Sequence, residues 1–295
     1  MLKTEELRER INARLNELIE AEAASSSLGE VMRYTVLAPG KRLRPLICMI
    51  SAKCLGGRID DALDPACAIE LIHTASLIVD DLPSMDDAEM RRGRPSCHRR
   101  FGEAATILAA LELLSLAYRV MSSASNLNER QRNQLVRSLG QAVGMKGLIG
   151  GQEQDLAAEK LESTDSHQVT RIHELKTGAL FVAAGEAGGI TAKLEGDQLV
   201  PIREFAARLG LAYQTFDDLI DAHATSEAAG KDVRKDVDKP TLVGVLGSEA
   251  ATDYANSMIN AAMDALQPLG RDMQPLQSLV ESVLSGSVGS PRTLN

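Results

Sequence analysis

Apolar residues recur at three- and four-residue steps along nearly the whole chain, a period that admits helices and little else. Leu7, Ile11, Leu15, Leu18 and Ile19 set it in the first segment. Pro39 and Gly40 interrupt it, and a second long helix is expected from near Lys41. Another opens over Asp60–Pro65 and runs through Ile69, Ile72 and Ala75 to Asp80. Ala104 to Met121 is rich in Ala and Leu, both strong helix formers. Further helices fit 129–149, 165–187, 196–221, 239–247, 250–265 and 272–284. No stretch alternates as a half-buried strand would. Gly-Gly pairs at 56–57, 150–151 and 188–189 read as helix ends or close helix contacts. The expectation is one all-α domain over 1–284, with a flexible tail of linker composition over 285–295.

The chain has 295 residues and a formal charge of −9, which argues against a nucleic-acid partner. Cys48, Cys54, Cys67 and Cys97 lack CxxC spacing and read as core thiols in a reducing compartment. The start, MLKTEELRER, lacks the apolar core of a signal peptide, and no uncharged apolar run is long enough to span a bilayer. A soluble, cytoplasmic protein is expected.

Charge is concentrated where helices end. The apolar run LIHTASLIV is followed by DDLPSMDDAEMRRGR, with Asp80, Asp81, Asp86 and Asp87 in one place. Pro83 stops the helix, so these carboxylates lie at its C-terminus, where the helix dipole disfavours anions. A divalent cation would relieve both that penalty and their mutual repulsion; a solvated acidic loop is the competing reading. A second cluster, DDLID, holds Asp217, Asp218 and Asp221. Asp217 and Asp221, four apart, share one helix face and need something to bridge them. Oxygen ligands of this kind suit Mg²⁺ shared with substrate phosphates.

The basic groups flank these acids. GKRLRP places Lys41, Arg42 and Arg44 at a helix start, a place suited to phosphate. Arg91 and Arg92 follow the first cluster, Lys176 and Thr177 sit in HELKTGAL, and Lys231, Lys235 and Lys239 follow the second. Carboxylates hold metals, and metals with Lys and Arg hold a polyphosphate. His73 reads either as a satisfied core histidine or as a donor to phosphate.

Together these motifs resemble the trans-isoprenyl diphosphate synthases of short-chain type. DDLPSMDD with RRG resembles that family's first aspartate-rich motif, and DDLID its second. GKRLRP, LIH, GGQ, KTG, YQ and GKD…KD…K follow in its order and spacing over roughly residues 30 to 247. The resemblance implies a single-domain bundle of mostly antiparallel helices around a deep central cavity, and a homodimer. It implies Mg²⁺, several ions to a site, held by Asp80, Asp81 and Asp86 on one wall and by Asp217 and Asp221 on the other. An allylic diphosphate (dimethylallyl, geranyl or farnesyl) would be clamped between them with Arg91, Lys176 and Lys231. Lys41, Arg42, His73 and Arg92 would hold isopentenyl diphosphate, and Thr177 and Gln214 would stabilise the allylic cation.

Members that stop at C15 often carry a bulky aromatic at the position of Ala75. The small pair Ala75–Ser76 therefore favours a C20 product, geranylgeranyl diphosphate, over the C15 farnesyl alternative, with Leu71 and Ile72 as a deeper floor. Two other readings compete. A class I terpene cyclase has a second metal motif of Asn/Ser/Glu type and needs no second diphosphate site. A catalytically silent regulatory subunit usually lacks part of one aspartate motif, and both are whole here.

Overall fold

The computed structural model describes residues 3–23, 25–161, 164–223 and 240–287. Helices carry nearly all of it: α1 (Thr4–Ala23), α2 (Ser27–Val36), α3 (Leu43–Cys54), α4 (Leu63–Asp80), α5 (Cys97–Phe101), α6 (Glu103–Ser123), α7 (Glu129–Val143), α8 (Leu148–Ala158), α9 (Ser166–His173), α10 (Ala179–Thr191) and α11 (Val200–His223). Leu242–Leu246, Ser248–Leu266 and Gln274–Ser287 follow. The helical period thus predicts the class correctly, and the described residues form an all-α bundle around a deep cleft.

α4 and α10 carry apolar residues on nearly every face and run through the interior. α4 packs on α3 and α6, and α10 on α3, α7 and α11. Glycine lets α10 approach its neighbours. A Cβ at Gly188 would fall 2.5 Å from the Cys48 carbonyl oxygen of α3. This pair is a close helix contact, as its sequence suggests, whereas Gly56, at φ 87°, closes α3. All four cysteines are buried and free.

Three details differ from the sequence expectation. A short helix, α2, stands before Pro39; the Ser26 hydroxyl caps it by accepting from Gly29 N at 2.9 Å. The run 129–149 is two helices, because the chain turns at Gly144–Gly147 so tightly that a Cβ at Gly147 would lie 2.1 Å from the Ala142 carbonyl oxygen. Met90–Arg91 pairs antiparallel with Arg94–Pro95. Its turn residues Arg92 (φ 53°) and Gly93 (φ 74°) are both left-handed, as a two-residue type I′ turn requires. Strands of two residues leave no alternation to read.

Ile59–Asp80 and Glu103–Ser123 are long and apolar enough to cross a bilayer by composition alone. The first is mostly buried in the bundle. The second, α6, packs on α4 and leaves Ile107, Leu108 and Leu111 exposed.

Candidate active site

The cleft, of about 950 Å³, is walled on one side by α4. His73, Ser76, Leu77 and Asp80 line it at the three- and four-residue steps of one helix face. Beyond Asp80 the chain folds back on the helix end. Asp86 N donates to the Asp80 carbonyl (2.9 Å), Asp87 N to that of Leu82 (3.0 Å) and Ala88 N to that of Asp81 (3.2 Å). This loop brings Asp86 onto the cleft with Asp80.

Asp81 does not join them. It is 1 % exposed and is not among the lining residues. Its Oδ1 accepts from Arg91 Nε (2.9 Å) and Nη2, and burial pushes its carboxyl up against the pull of that arginine. Consecutive helical residues diverge by about 100°, so Asp80 and Asp81 cannot share a face. Asp81, expected among the metal ligands, instead fixes Arg91 at the rim.

The facing wall is α11, whose Tyr213, Gln214, Asp217, Asp218 and Asp221 line the cleft. Thr177 Oγ1 donates to Gln214 Oε1 at 2.7 Å, and Gln214 Nε2 donates to Asp218 Oδ1 at 3.0 Å. Burial pushes the Asp218 carboxyl up to about 7, opposed by the Gln214 bond. His173 Nε2 lies 3.6 Å from Asp218 Oδ2, and burial pushes its imidazole down to about 4.

Lys176 and Thr177 sit on an irregular turn. Glu174–Gly178 is a π-helical segment between α9 and α10, a form common at functional sites. Glycines on two sides let it be gripped. A Cβ at Gly151 of α8 would fall 2.3 Å from Lys176 N, and one at Gly210 of α11 would lie 3.0 Å from Gly178 Cα. Lys176 Nζ then reaches Asp155 Oδ2 at 2.6 Å and Asp80 Oδ2 at 3.9 Å. Asp155 was not expected in the site. Its signal was available, since Gly151 and Asp155 are four apart on α8 and share a face.

A second group of cleft residues is basic. Lys41, Arg44, His73 and Arg92 belong to it. Gly40 makes room: a Cβ on it would lie 3.1 Å from Arg92 Nη1. Arg44 Nη1 stands 3.2 Å from His73 Nε2, its guanidinium lies 4.8 Å over the Phe181 ring, and its buried Nε has no hydrogen-bond partner among the described residues. Arginine has no acceptor, so His73 Nε2 accepts and the ring proton lies on Nδ1. Burial, then Arg44, Arg92, Arg42 and Arg91, hold His73 well below the usual histidine range. Neutral His73 is therefore a ring-nitrogen partner within a cluster of cations.

Arg42 is placed differently from the expectation. It borders the cleft but is 3 % exposed, and its guanidinium is committed. Nε donates to Asn12 Oδ1 (2.8 Å), Nη1 to Glu70 Oε1 (3.0 Å), and Nη2 to the carbonyls of Val36 (2.7 Å) and Ala38 (2.9 Å). Four of its five N–H groups are used. Arg44, two residues on, lines the cleft beside His73 without such a network.

Of the chain-length pair, Ser76 lines the cleft and its hydroxyl donates to the His73 carbonyl (2.9 Å), while Ala75 packs in the core at 8 % exposure. Leu77, Leu148, Ile172 and Leu180 supply apolar lining. Lys231, with Lys235 and Lys239, lies outside the described residues.

Among the described residues no three acidic, histidine or cysteine side chains form a ready-made metal cage. Four carboxylates, Asp80 and Asp86 facing Asp217 and Asp221, instead border one cleft. That donor set fits Mg²⁺, which takes one or two carboxylates and fills its remaining positions with water and phosphate oxygens.

Comparison with known proteins places the fold in a class. The chain belongs to the polyprenyl synthetase family, whose model matches residues 25–276. It is 39 % identical over 265 residues to the geranylgeranyl diphosphate synthase of Pantoea ananas, covering 89 % of this chain and 86 % of that one. It is 40 % identical over 260 residues to that of Pseudescherichia vulneris, covering 88 % and 83 %. Among solved structures it resembles an FPP/GFPP synthase from Zymomonas mobilis (TM-score 0.84, 33 % identity, 95 % of this chain and 98 % of that one). A geranyltransferase from Helicobacter pylori, solved with magnesium and isoprenyl diphosphate, is also similar (TM-score 0.82, 28 % identity, 97 % and 98 %).

Proposed function

We propose that this chain joins isopentenyl diphosphate to an allylic diphosphate and extends the product to C20, geranylgeranyl diphosphate. The observation that carries this reading is that one cleft is lined both by the carboxylates Asp80, Asp86, Asp217 and Asp221 and by the cations Lys41, Arg44 and Arg92. Two diphosphates are thereby received in different ways.

The allylic diphosphate lies between Asp80 and Asp86 on one wall and Asp217 and Asp221 on the other, with Lys176 and Arg91 beside it. Asp80, Asp86, Asp217 and Asp221 would hold magnesium, which would supply positive charge to the departing diphosphate. Lys176, held by Asp155, adds a fixed cation there. The Thr177 hydroxyl hydrogen is committed to Gln214, so its lone pairs are free to face the allylic cation. Leu77, Leu148, Ile172 and Leu180 keep water from that cation. Isopentenyl diphosphate, held by Lys41, Arg44 and Arg92 with His73, attacks through its double bond. The departed diphosphate accepts the proton lost from the adduct.

Ser76 leaves the α4 wall small, which, with the names of the curated relatives, favours C20. The structural neighbours named for farnesyl-length chemistry support C15 as the second reading. The basic group supplies the second diphosphate site that a terpene cyclase lacks, and both aspartate motifs reach the cleft, unlike those of a silent subunit. The exposed apolar face of α6 (Ile107, Leu108, Leu111) fits a homodimer contact with a second copy. Four free buried thiols suit a cytoplasmic location.

The test is chromatography of dephosphorylated products from the purified protein with Mg²⁺, isopentenyl diphosphate and each allylic primer. A C20 alcohol that disappears with chelator or without isopentenyl diphosphate is expected. Turnover of the allylic substrate alone, with no chain growth, would overturn the assignment.

A further inference from the structure

The lining of the cleft includes a carboxylate that the chemistry above does not use. Glu70 is on α4, one turn before His73, and is 2 % exposed. Its Oε1 accepts from Arg42 Nη1 at 3.0 Å. A buried carboxylate among cations is costly to assemble and needs a reason.

Its surroundings give one. Arg42 ties four parts of the chain through a single guanidinium: Asn12 on α1, Val36 at the end of α2, Ala38 in the loop, and Glu70 on α4. Arg42 also holds a left-handed backbone, φ 50° and ψ 38°, at the start of α3. A non-glycine residue keeps that conformation only where its surroundings over-determine it. Lys41 precedes this kink and Arg44 follows it, and both line the cleft. The direction in which each leaves the backbone is set by the kink. Glu70 acts on the neighbouring cations too. After burial, it is the largest influence on both Arg44 and Arg92, and an attractive one. One carboxylate thus draws three arginines from two segments, the start of α3 and the hairpin turn, toward one point.

We infer that Glu70 and Asn12, acting through Arg42, are positioning residues for the isopentenyl diphosphate site. They fix the kink that aims Lys41 and Arg44, and Glu70 holds the cations together while the site is empty. The inference rests on the function proposed above. It predicts an effect confined to one of two substrates, which general loosening of the fold would not give.

The experiment measures both KM values and kcat for the wild type, Glu70→Gln and Asn12→Ala. Glu70→Gln keeps an acceptor for Arg42 and removes the charge. Asn12→Ala removes one bond at a half-buried position outside the cleft. The KM for isopentenyl diphosphate should rise about tenfold in the first and about threefold in the second, as expected for groups misplaced by a fraction of an ångström. The allylic KM and kcat should stay within about twofold, because the carboxylate walls are untouched. If Glu70→Gln does not fold, Asn12→Ala decides alone. Parallel movement of both KM values, or no movement of either, overturns the inference. A wild type that turns over without isopentenyl diphosphate sinks the proposed function instead, so the two failures are told apart.

Discussion

Gly151 and Lys176 are in backbone contact: a Cβ on the glycine would fall 2.3 Å from the Lys176 nitrogen. No side chain fits between α8 and the π-helical segment. Gly151→Ala must therefore push Lys176 and Thr177 from the cleft. About a 100-fold loss in kcat is expected, the cost of misplacing catalytic groups by about an ångström. Helical content by circular dichroism should hold. A Gly151→Ala protein with ordinary kcat would show that the segment tolerates displacement.

The two arginines of GKRLRP should separate cleanly. Arg42→Ala leaves Glu70 buried without its ion-pair partner, which should cost about 3–5 kcal/mol of stability. Arg44→Gln removes a desolvated cation and leaves no acid stranded, so denaturant midpoints should change little. Its effect should be a KM for isopentenyl diphosphate raised about ten- to hundredfold, the worth of one charge-assisted hydrogen bond of roughly 1.5–3 kcal/mol. The opposite pattern, with Arg44→Gln unstable and Arg42→Ala merely weak in binding, would reverse the roles assigned to them.

Two histidines shape the acid limb of stability. His73 is held well below its unfolded value near 6.5, and His173 is pushed down to about 4. Above pH 6.5 both are neutral in either state and contribute no slope. Below it the unfolded chain takes protons that the folded one refuses, so stability falls as pH drops. Each group adds at most ~1.4 kcal/mol per pH unit. Urea unfolding between pH 7.5 and 5 should show a shallower decline for His73→Gln than for wild type. Equal declines would mean that His73 titrates normally in the fold.

Product length should respond at Ser76 rather than at Ala75. Ser76 faces the cleft four residues before Asp80, roughly 6 Å down the helix axis. Ser76→Phe should shorten the main product from C20 to C15 with folding intact. Ala75→Phe enters a filled core, where overpacking costs about 1–3 kcal/mol, and should show first as lost stability. A Ser76→Phe enzyme still making C20 would place the floor of the cleft elsewhere.

Much of this arrangement is legible before any coordinates. The 3.6-residue period gives the helices, and the spacing His73–Ser76–Leu77–Asp80 already names one face of α4. The same geometry argues that Asp81 turns away from Asp80. Other features leave no period to read. Arg42 is tied into the bundle while Arg44 takes part in the cleft lining because the chain kinks left-handed at Arg42, and residue counting along a helix fails across a kink. The hairpin at Arg91–Arg94 uses Arg-Gly at its turn rather than the Asn-Gly that would announce it. The π-helical segment has no composition of its own; its only trace is the pair of glycines, Gly151 and Gly210, on its neighbours.

That segment also bears on how the chain can change. A π-helical turn amounts to one residue too many in an otherwise continuous helix from Ser166 to Thr191. Deleting one residue from Glu174–Gly178 would restore regular hydrogen bonding and turn α9 by about 100° relative to α10. Lys176 could then no longer keep both Asp155 and Asp80 while Thr177 keeps Gln214. The deletion that makes the backbone most regular is thus the one that disarms the site, and selection for robustness alone would tend to erase it.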